Sequence, residues 1–346
     1  LPNPALNSPA ATHRPGTDPR AAVLTIGTFD GVHVGHRALL ERARKPAAAG
    51  GGQANPRVVA LAFDPNPLEV LSPAGAPARL TTWAQRDRLL REAGADEVVR
   101  LDPTPALLAL SPEAFVDQLV NQYRPVAIVE GADFRFGAKR AGDVALLRSL
   151  GAARGFSVEV VGQVECALND HTIAPARSSV IRWLIANGRV SDAARLLGRP
   201  YAMAGSVRRG DQRGRTIGYP TANVESPCLA PADGVYAGRA RLPDGRTLAA
   251  AISVGTKPTF GSHARAVEAF VMEPRTGENG RTPAKADLSG LPDYEWEMEL
   301  EFLAFVRDQV RFDTLDELLG QMGRDCATCL SIAETAAACE ARTTGA

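Results

Sequence analysis

Two of the five histidines in this 346-residue chain stand three positions apart, in the run Gly27-Thr28-Phe29-Asp30-Gly31-Val32-His33-Val34-Gly35-His36. Residues at that spacing share one face of a helical turn. The surrounding glycines permit tight turns and close approach of backbone to a ligand. An apolar run, Val23–Ile26, precedes the segment, and a helical pattern opens near Gly35. The free N–H groups and positive dipole end of that helix therefore face the same place as the imidazoles. Such a set suits a polyphosphate. A histidine pair can also serve packing or hold a metal, but strand, glycines and helix start agree on phosphate, and no third metal ligand lies nearby.

A second group of polar residues follows later. Gly205-Ser206-Val207 leads to Gly210 and then to Gly214-Arg215-Thr216-Ile217-Gly218-Tyr219-Pro220-Thr221-Ala222-Asn223. No G-K-S/T follows, so this is not a Walker loop, yet its glycines can wrap backbone amides around phosphates. Thr221 and Asn223 point to one side of an extended segment. Their hard oxygens suit Mg²⁺ held together with ATP phosphates. Glu268 lies in the apolar run Val267-Glu268-Ala269-Phe270-Val271, on the opposite face from Val267, Ala269 and Val271. It reads either as a solvent-facing strand residue or as a base for an attacking hydroxyl.

The elements that must position these groups change character along the chain. Short apolar runs at Val23–Ile26, Val58–Phe63, Val98–Leu101, Val126–Val129 and Ser157–Val161 alternate with amphipathic stretches at His36–Arg44, Trp83–Glu92, Pro112–Gln122 and Asp143–Arg154. That alternation predicts a parallel sheet covered on both faces, with ligands at the carboxyl ends of the strands. Ser178 and Ser179 predict an N-cap for a helix over Val180–Asn187, and Ser191 one for a helix ending at Leu197. From Tyr201 the pattern is all-β: Ala202–Arg209, Val235–Leu242, Thr247–Val254, Val267–Glu273 and Trp296–Phe305 predict a small antiparallel barrel, and Leu315–Cys339 a final helix. Pro274–Pro292 reads as a long exposed insertion.

The chain length allows about two domains of roughly 100–200 residues. We place a disordered tail at 1–21, one domain at 22–187 and another at 188–346. Lys plus Arg equals Asp plus Glu, 39 against 39, so no global field recruits nucleic acid or an anionic membrane. No apolar run approaches the roughly 20 residues of a membrane span. The five cysteines are scattered and odd in number, which predicts reduced thiols and a cytoplasmic setting. Cys326 and Cys329 form a C-x-x-C that can be redox-active or half a zinc site; with no completing ligands nearby, it reads as inert helix cysteines.

The first run resembles the G-x-F-D-x-x-H-x-G-H signature of the nucleotidyltransferase superfamily. Two segments bring the resemblance closer to bacterial FAD synthetases: Phe63-Asp64-Pro65-Asn66-Pro67-Leu68-Glu69-Val70-Leu71, similar to F-D/E-P-H-P-x-E-V-L, and Gly131-Ala132-Asp133-Phe134-Arg135-Phe136-Gly137, similar to G-x-D/N-F-x-F-G. Ser178-Ser179-Val180-Ile181-Arg182 resembles S-S-x-x-I-R. Asn66 stands where that family usually has histidine, and Arg177 and Val180 also depart from its pattern. The second group, with Val254–Gly261 before the glutamate, resembles riboflavin kinase, whose signature is G-R-x-x-G-x-P-T-A-N. Where that family carries a short D-L-Y-G turn, this chain has the Pro274–Pro292 insertion.

The resemblance implies an α/β chain: a Rossmann-like nucleotidyltransferase domain, then a β-barrel riboflavin kinase domain with a C-terminal helix. It implies phosphorylation of riboflavin to FMN and adenylylation of FMN to FAD, with ATP as substrate of both and Mg²⁺ as cofactor. His33, His36 and Arg182 are the implied groups of adenylyl transfer, with Gly27, Phe29, Asp30, Gly35 and Ser179 on ATP and Asn66, Asp133 and Phe134 on flavin. In the kinase, Gly214, Arg215, Gly218 and Pro220 are implied for ATP, Thr221 and Asn223 for Mg²⁺, Glu268 as base and Arg307 for flavin. The expected partners are these small molecules, without nucleic acid or membrane; a weak homo-oligomer stays open. So do two other readings, a kinase with an altered first domain and a flavin- or nucleotide-binding regulator without turnover.

Overall fold

The computed structural model describes residues 21–49, 56–210, 213–257, 262–277 and 280–344, in two compact units. The first takes in 83–165, 175–177 and the described residues up to 78; the second takes in 79–82, 166–174 and the described residues from 178 onward. Most of the expected tail at 1–21 lies outside the described residues, as does Pro258–Gly261 of the segment before Glu268.

Five parallel strands form the sheet of the first unit: β1 (Ala22–Gly27), β2 (Arg57–Phe63), β3 (Glu97–Leu101), β4 (Pro125–Gly131) and β5 (Ser157–Val161), in the order β3-β2-β1-β4-β5. The helices are α1 (Val34–Ala49), α2 (Pro67–Leu71), α3 (Trp83–Glu92), α4 (Pro105–Leu108), α5 (Pro112–Tyr123) and α6 (Val144–Arg154). Alternate residues serve opposite faces, as the pleat requires. Leu24, Ile26, Leu61 and Ile128 pack with Phe115, Val116 and Leu119 of α5 and Leu147 of α6. Val23, Val58, Ala60 and Val129 pack with Leu40 and Ala43 of α1 and Leu89 and Leu90 of α3. Both faces are thus covered, which is why the strands are apolar throughout. The expected start of α6 moves one residue because Asp143 is its cap, accepting from the Leu146 N–H at 2.9 Å.

The strand order reverses between β1 and β4, the place where sheets of this kind open a crevice for ligands. Six residues of β1 pair with β2, but its ladder with β4 stops at Leu24↔Ile128. Meanwhile β4 stays paired to β5 up to Gly131↔Val161.

A short ribbon, β6 (Glu165–Ala167) with β7 (Ile173–Pro175), follows in the chain. Helices α7 (Ser178–Ala186) and α8 (Val190–Leu197) come next. Both serine caps need correction. Ser178 and Ser179 lie inside the first turn of α7, and Ser191 lies inside α8. Arg189 takes the cap position of α8, and its guanidinium bridges Asp170 and Asp192, each at 2.7 Å.

The rest of the second unit is β8 (Tyr201–Arg208), α9 (Arg213–Thr216), β9 (Ala222–Glu225), β10 (Gly234–Arg241), β11 (Thr247–Lys257), β12 (Ser262–Gly277), β13 (Gly280–Lys285), β14 (Glu297–Arg307) and α10 (Leu315–Thr344). Strands run in the order β11-β10-β14-β8-β9-β12, and β12 pairs back to β11 to close a six-stranded antiparallel barrel. Closure removes the exposed edges an open sheet would present. The expected insertion is mostly structure: β12 continues to Gly277 and pairs with β13 as a hairpin on the outside of the barrel. Asp287-Leu288-Ser289-Gly290 follows it, one residue away from the family's D-L-Y-G turn. Helix α10 packs Cys326, Cys329 and Leu330 onto Ala237, Phe270 and Met272. Burial pushes both thiols up to about 12.

Candidate functional site

In the first unit the loop from β1 to α1 makes its turn on residues other than glycine. Phe29 and Val32 sit at φ 48° and 40°, with Gly31 at 87° between them. A β-branched residue in that region is strained, at about 1–3 kcal/mol, and holds only where its surroundings over-determine it. Here they do: Phe29 and Val32 are buried in the α1 and α3 core. His33 caps α1, its Nδ1 accepting from the His36 N–H at 3.3 Å. That bond leaves the proton of a neutral His33 on Nε2, so the ring presents a donor. The rings of His33 and His36 stack at 3.6 Å, and Phe29 meets His36 edge-on at 5.1 Å. Gly35 lets the backbone approach the ring closely: a Cβ there would lie 3.1 Å from the His33 ring. The first turn of α1 holds no acidic residue to compete with an anion.

Asp30 is buried behind this loop, 3.6 Å from the Arg86 guanidinium. Arg86 also faces Asp64 at 3.6 Å and donates to the Phe63 carbonyl at 2.9 Å, while Arg100 closes on Asp64 at 2.5 Å. Three of these four side chains are at most 5% exposed. The network ties the loop after β1 to the end of β2 and to β3. Sequence reasoning missed Arg86 and Arg100. Arg86 carried a signal, since it falls three and four residues before Leu89 and Leu90 on the apolar face of α3.

Gly27, Phe29, Asp30, His33, Gly35 and His36 are thus brought together at one loop. Asn66 caps α2 in a capping box: its side-chain oxygen accepts from Leu68 N–H at 3.0 Å and Glu69 reaches back at 2.9 Å. Asp133 is exposed, 3.6 Å from Arg177, and Phe134 stacks on Phe136 at 5.5 Å. Ser179 and Arg182 stand on α7, in the second unit.

In the barrel, strand register sets the second site. Asn223 of β9 pairs directly with Glu268 of β12 and with Arg208 of β8. Thr221, Asn223, Glu268 and Phe270 line one cavity of about 190 Å³, with Ile217, Tyr219, Val235, Arg307, Phe312, Met322 and Cys326. Ala269 and Val271 face a second, polar cavity of about 820 Å³. Arg215, Gly218, Pro220, Lys285, Asp287 and Ser289 line it too, and Gly214, Thr221 and Asn223 belong to both cavities. A Cβ at Gly210 would lie 2.1 Å from the Asn223 side-chain amide, which would have to shift, and one at Gly214 would lie 2.1 Å from the Tyr219 carbonyl oxygen, so Gly214 is needed for this close backbone approach. Arg307 binds Asp325 through Nε at 3.0 Å and Nη2 at 2.6 Å, and its Nη1 donates to the Asp308 carbonyl. It also packs 5.9 Å from the Phe312 ring. Lys285, Asp287 and Ser289 were missed because the Gly- and Pro-rich composition around them hid a strand.

A family model described as FAD synthetase matches residues 16–174, and one described as riboflavin kinase matches residues 197–333. A bifunctional riboflavin kinase/FMN adenylyltransferase of Escherichia coli (strain K12) is 35% identical over 305 residues, which span 88% of this chain and 90% of that one. A protein of the same name from Haemophilus influenzae is 30% identical over 311 residues, 89% of this chain and 93% of its own. The crystal structure of a macrolide-efflux protein from Streptococcus pneumoniae aligns with a TM-score of 0.72 at 28% identity, covering 90% of this chain and 94% of that one. Among the described residues of this chain, no helix is long and apolar enough to cross a membrane.

Proposed function

We propose how the two sites divide the work of a chain that belongs to the family of bifunctional riboflavin kinases/FMN adenylyltransferases. The chain makes FMN from riboflavin and FAD from FMN. The observation that carries the kinase assignment is the register that sets Glu268 opposite Asn223, beside Thr221, where two cavities meet. The larger, polar cavity takes ATP; its walls offer Arg215, Lys285 and the amides around Gly214 and Gly218. The narrower, apolar one takes the flavin ring between residues such as Tyr219, Phe270 and Phe312. Glu268 accepts the proton of the riboflavin 5′-hydroxyl as its oxygen attacks the γ-phosphorus and ADP leaves. Because Arg307 is held by Asp325, it shapes the flavin slot with the face of its guanidinium.

The residues fit Mg²⁺. Among the described residues no cluster of three His, Cys, Asp or Glu makes a cage for a metal. A hydroxyl and a carboxamide oxygen suit an ion that keeps waters and takes its remaining ligands from phosphates. Thr221 and Asn223 would hold it, and when bound it would neutralise phosphate charge during transfer.

In the first unit His33, His36 and the N-terminus of α1 bind the ATP phosphates and stabilise the charge on departing pyrophosphate. An FMN phosphate oxygen attacks the α-phosphorus, so no protein nucleophile is needed. Gly27, Phe29 and Gly35 shape the loop, and Asp30 anchors it to Arg86. Asn66, whose oxygen is engaged as a cap, offers its amide NH₂ to FMN, with Asp133 and Phe134 beside the flavin. The test is a time course with riboflavin and Mg²⁺-ATP that resolves FMN from FAD. FMN must appear first and FAD after it; FMN without FAD would leave only the kinase.

A further inference from the structure

Glu130 is a buried carboxyl that neither reaction uses. It ends the apolar run of β4 and is 2% exposed. Its place is the switch point, where β1 and β4 part company after Leu24↔Ile128. Beyond that pair the amides of β1 that face β4 lose their ladder, and a buried N–H needs another acceptor. Glu130 is that acceptor for Ile26, whose N–H donates to Oε1 at 2.6 Å. A side chain thus stands where a strand carbonyl would.

Burial disfavours the charged form and holds this carboxyl well above the usual carboxylate range. The bond to Ile26 lies one residue before Gly27, where the loop carrying Phe29, His33 and His36 begins.

We infer that Glu130 is the positioning residue of adenylyl transfer in this chain: it wedges the β1–β4 seam open and fixes the root of the histidine loop. This rests on the assignment of that loop to the adenylyl-transfer site. Truncation leaves the Ile26 N–H buried without its acceptor, so the strands must close or water must enter. Either outcome moves the histidines relative to the phosphates, and a displacement of about 1 Å costs about 100-fold in rate.

The experiment compares Glu130→Gln, Glu130→Asp and Glu130→Ala in the full-length chain, with FAD formation from supplied FMN, FMN formation from riboflavin, and hydrogen exchange at the Ile26 amide. Gln keeps an uncharged acceptor of the same reach, so it is expected to retain the parent's kcat and Ile26 protection. Asp is too short to reach, and Ala has no acceptor. Both are expected to lose about 100-fold in kcat for FAD and to lose protection at Ile26, with FMN formation intact as the control for folding. Parent-like FAD kinetics in Glu130→Ala would overturn the inference, as would equal protection of Ile26 in Ala and parent. A Gln variant as poor as Ala would also overturn it, since the carboxyl would then act through its charge. Should the parent itself form no FAD, the assignment of the loop fails, while the exchange comparison still decides whether Glu130 holds the seam.

Discussion

In the proposed assignment, the loop from Gly27 to Gly35 and the segment from Gly210 to Asn223 both meet the phosphates of ATP. The first turns at Phe29 and Val32, two buried side chains in the left-handed region, and it is backed by the Asp30–Arg86–Asp64 network. The second turns on glycines: Gly218 at φ 86° has open space around it, and Gly210 and Gly214 let backbone and side chain close up. The shape of the first loop is therefore stored in the core beneath it, whereas the shape of the second is a local property of a few backbone positions. Damage to the support of the first loop should cost stability together with FAD synthesis. Damage to the second should cost catalysis alone.

The sharpest test of this contrast is Glu268→Gln. FMN formation should fall by about 10²–10⁴-fold, with the unfolding temperature and FAD synthesis from supplied FMN unchanged. An unaltered kinase rate would remove Glu268 as the base. For the first loop, His36→Ala should lower FAD formation by about 10²–10³-fold, as loss of a charge-stabilising donor does, and should leave FMN formation alone.

Arg86→Ala separates support from chemistry. It removes the guanidinium that faces Asp30 and Asp64 in the buried network. Loss of one partner from a buried ion pair costs about 3–5 kcal/mol. On heating, the variant should lose FAD synthesis well before FMN synthesis, an order read by assaying both products after timed incubations. Gly210→Ala pushes a methyl into the Asn223 amide and should raise the kinase KM for ATP by about tenfold, roughly 1.4 kcal/mol. Its melting should match the parent's; a loss as large as that of Arg86→Ala would break the contrast. The smallest effect concerns Cys326 and Cys329. With thiols pushed up to about 12, the thiolate fraction at pH 8 is about one in 10⁴. Both should resist iodoacetamide in the folded chain and react once it is denatured, as mass spectrometry of the alkylated peptides would record.

Much of this architecture was legible in the sequence. The five strands of the first sheet were placed to within a residue or two because each is a short apolar run between turn-forming residues. The faces of β12 were legible too, since a period of two puts Glu268 and Phe270 opposite Ala269 and Val271. What stayed hidden depends on residues far apart in the chain. Arg86 meets Asp30 and Asp64 across separations no local pattern reports. Glu130 looks like the polar end of a strand until the missing ladder to β1 is seen. The hairpin β12–β13 was masked by Pro and Gly, which on the outside of a barrel interrupt less than composition suggests.

Thr221 and Asn223 border both cavities of the barrel. Their position has a kinetic consequence. With ATP and flavin placed as proposed, a nucleotide entering the polar cavity and a flavin entering the apolar one would not block each other's path. ADP could then depart while FMN is still seated, and fresh ATP could enter before FMN leaves. Traffic of this kind favours a ternary complex reached in either order, with product inhibition by ADP competitive against ATP and not against riboflavin.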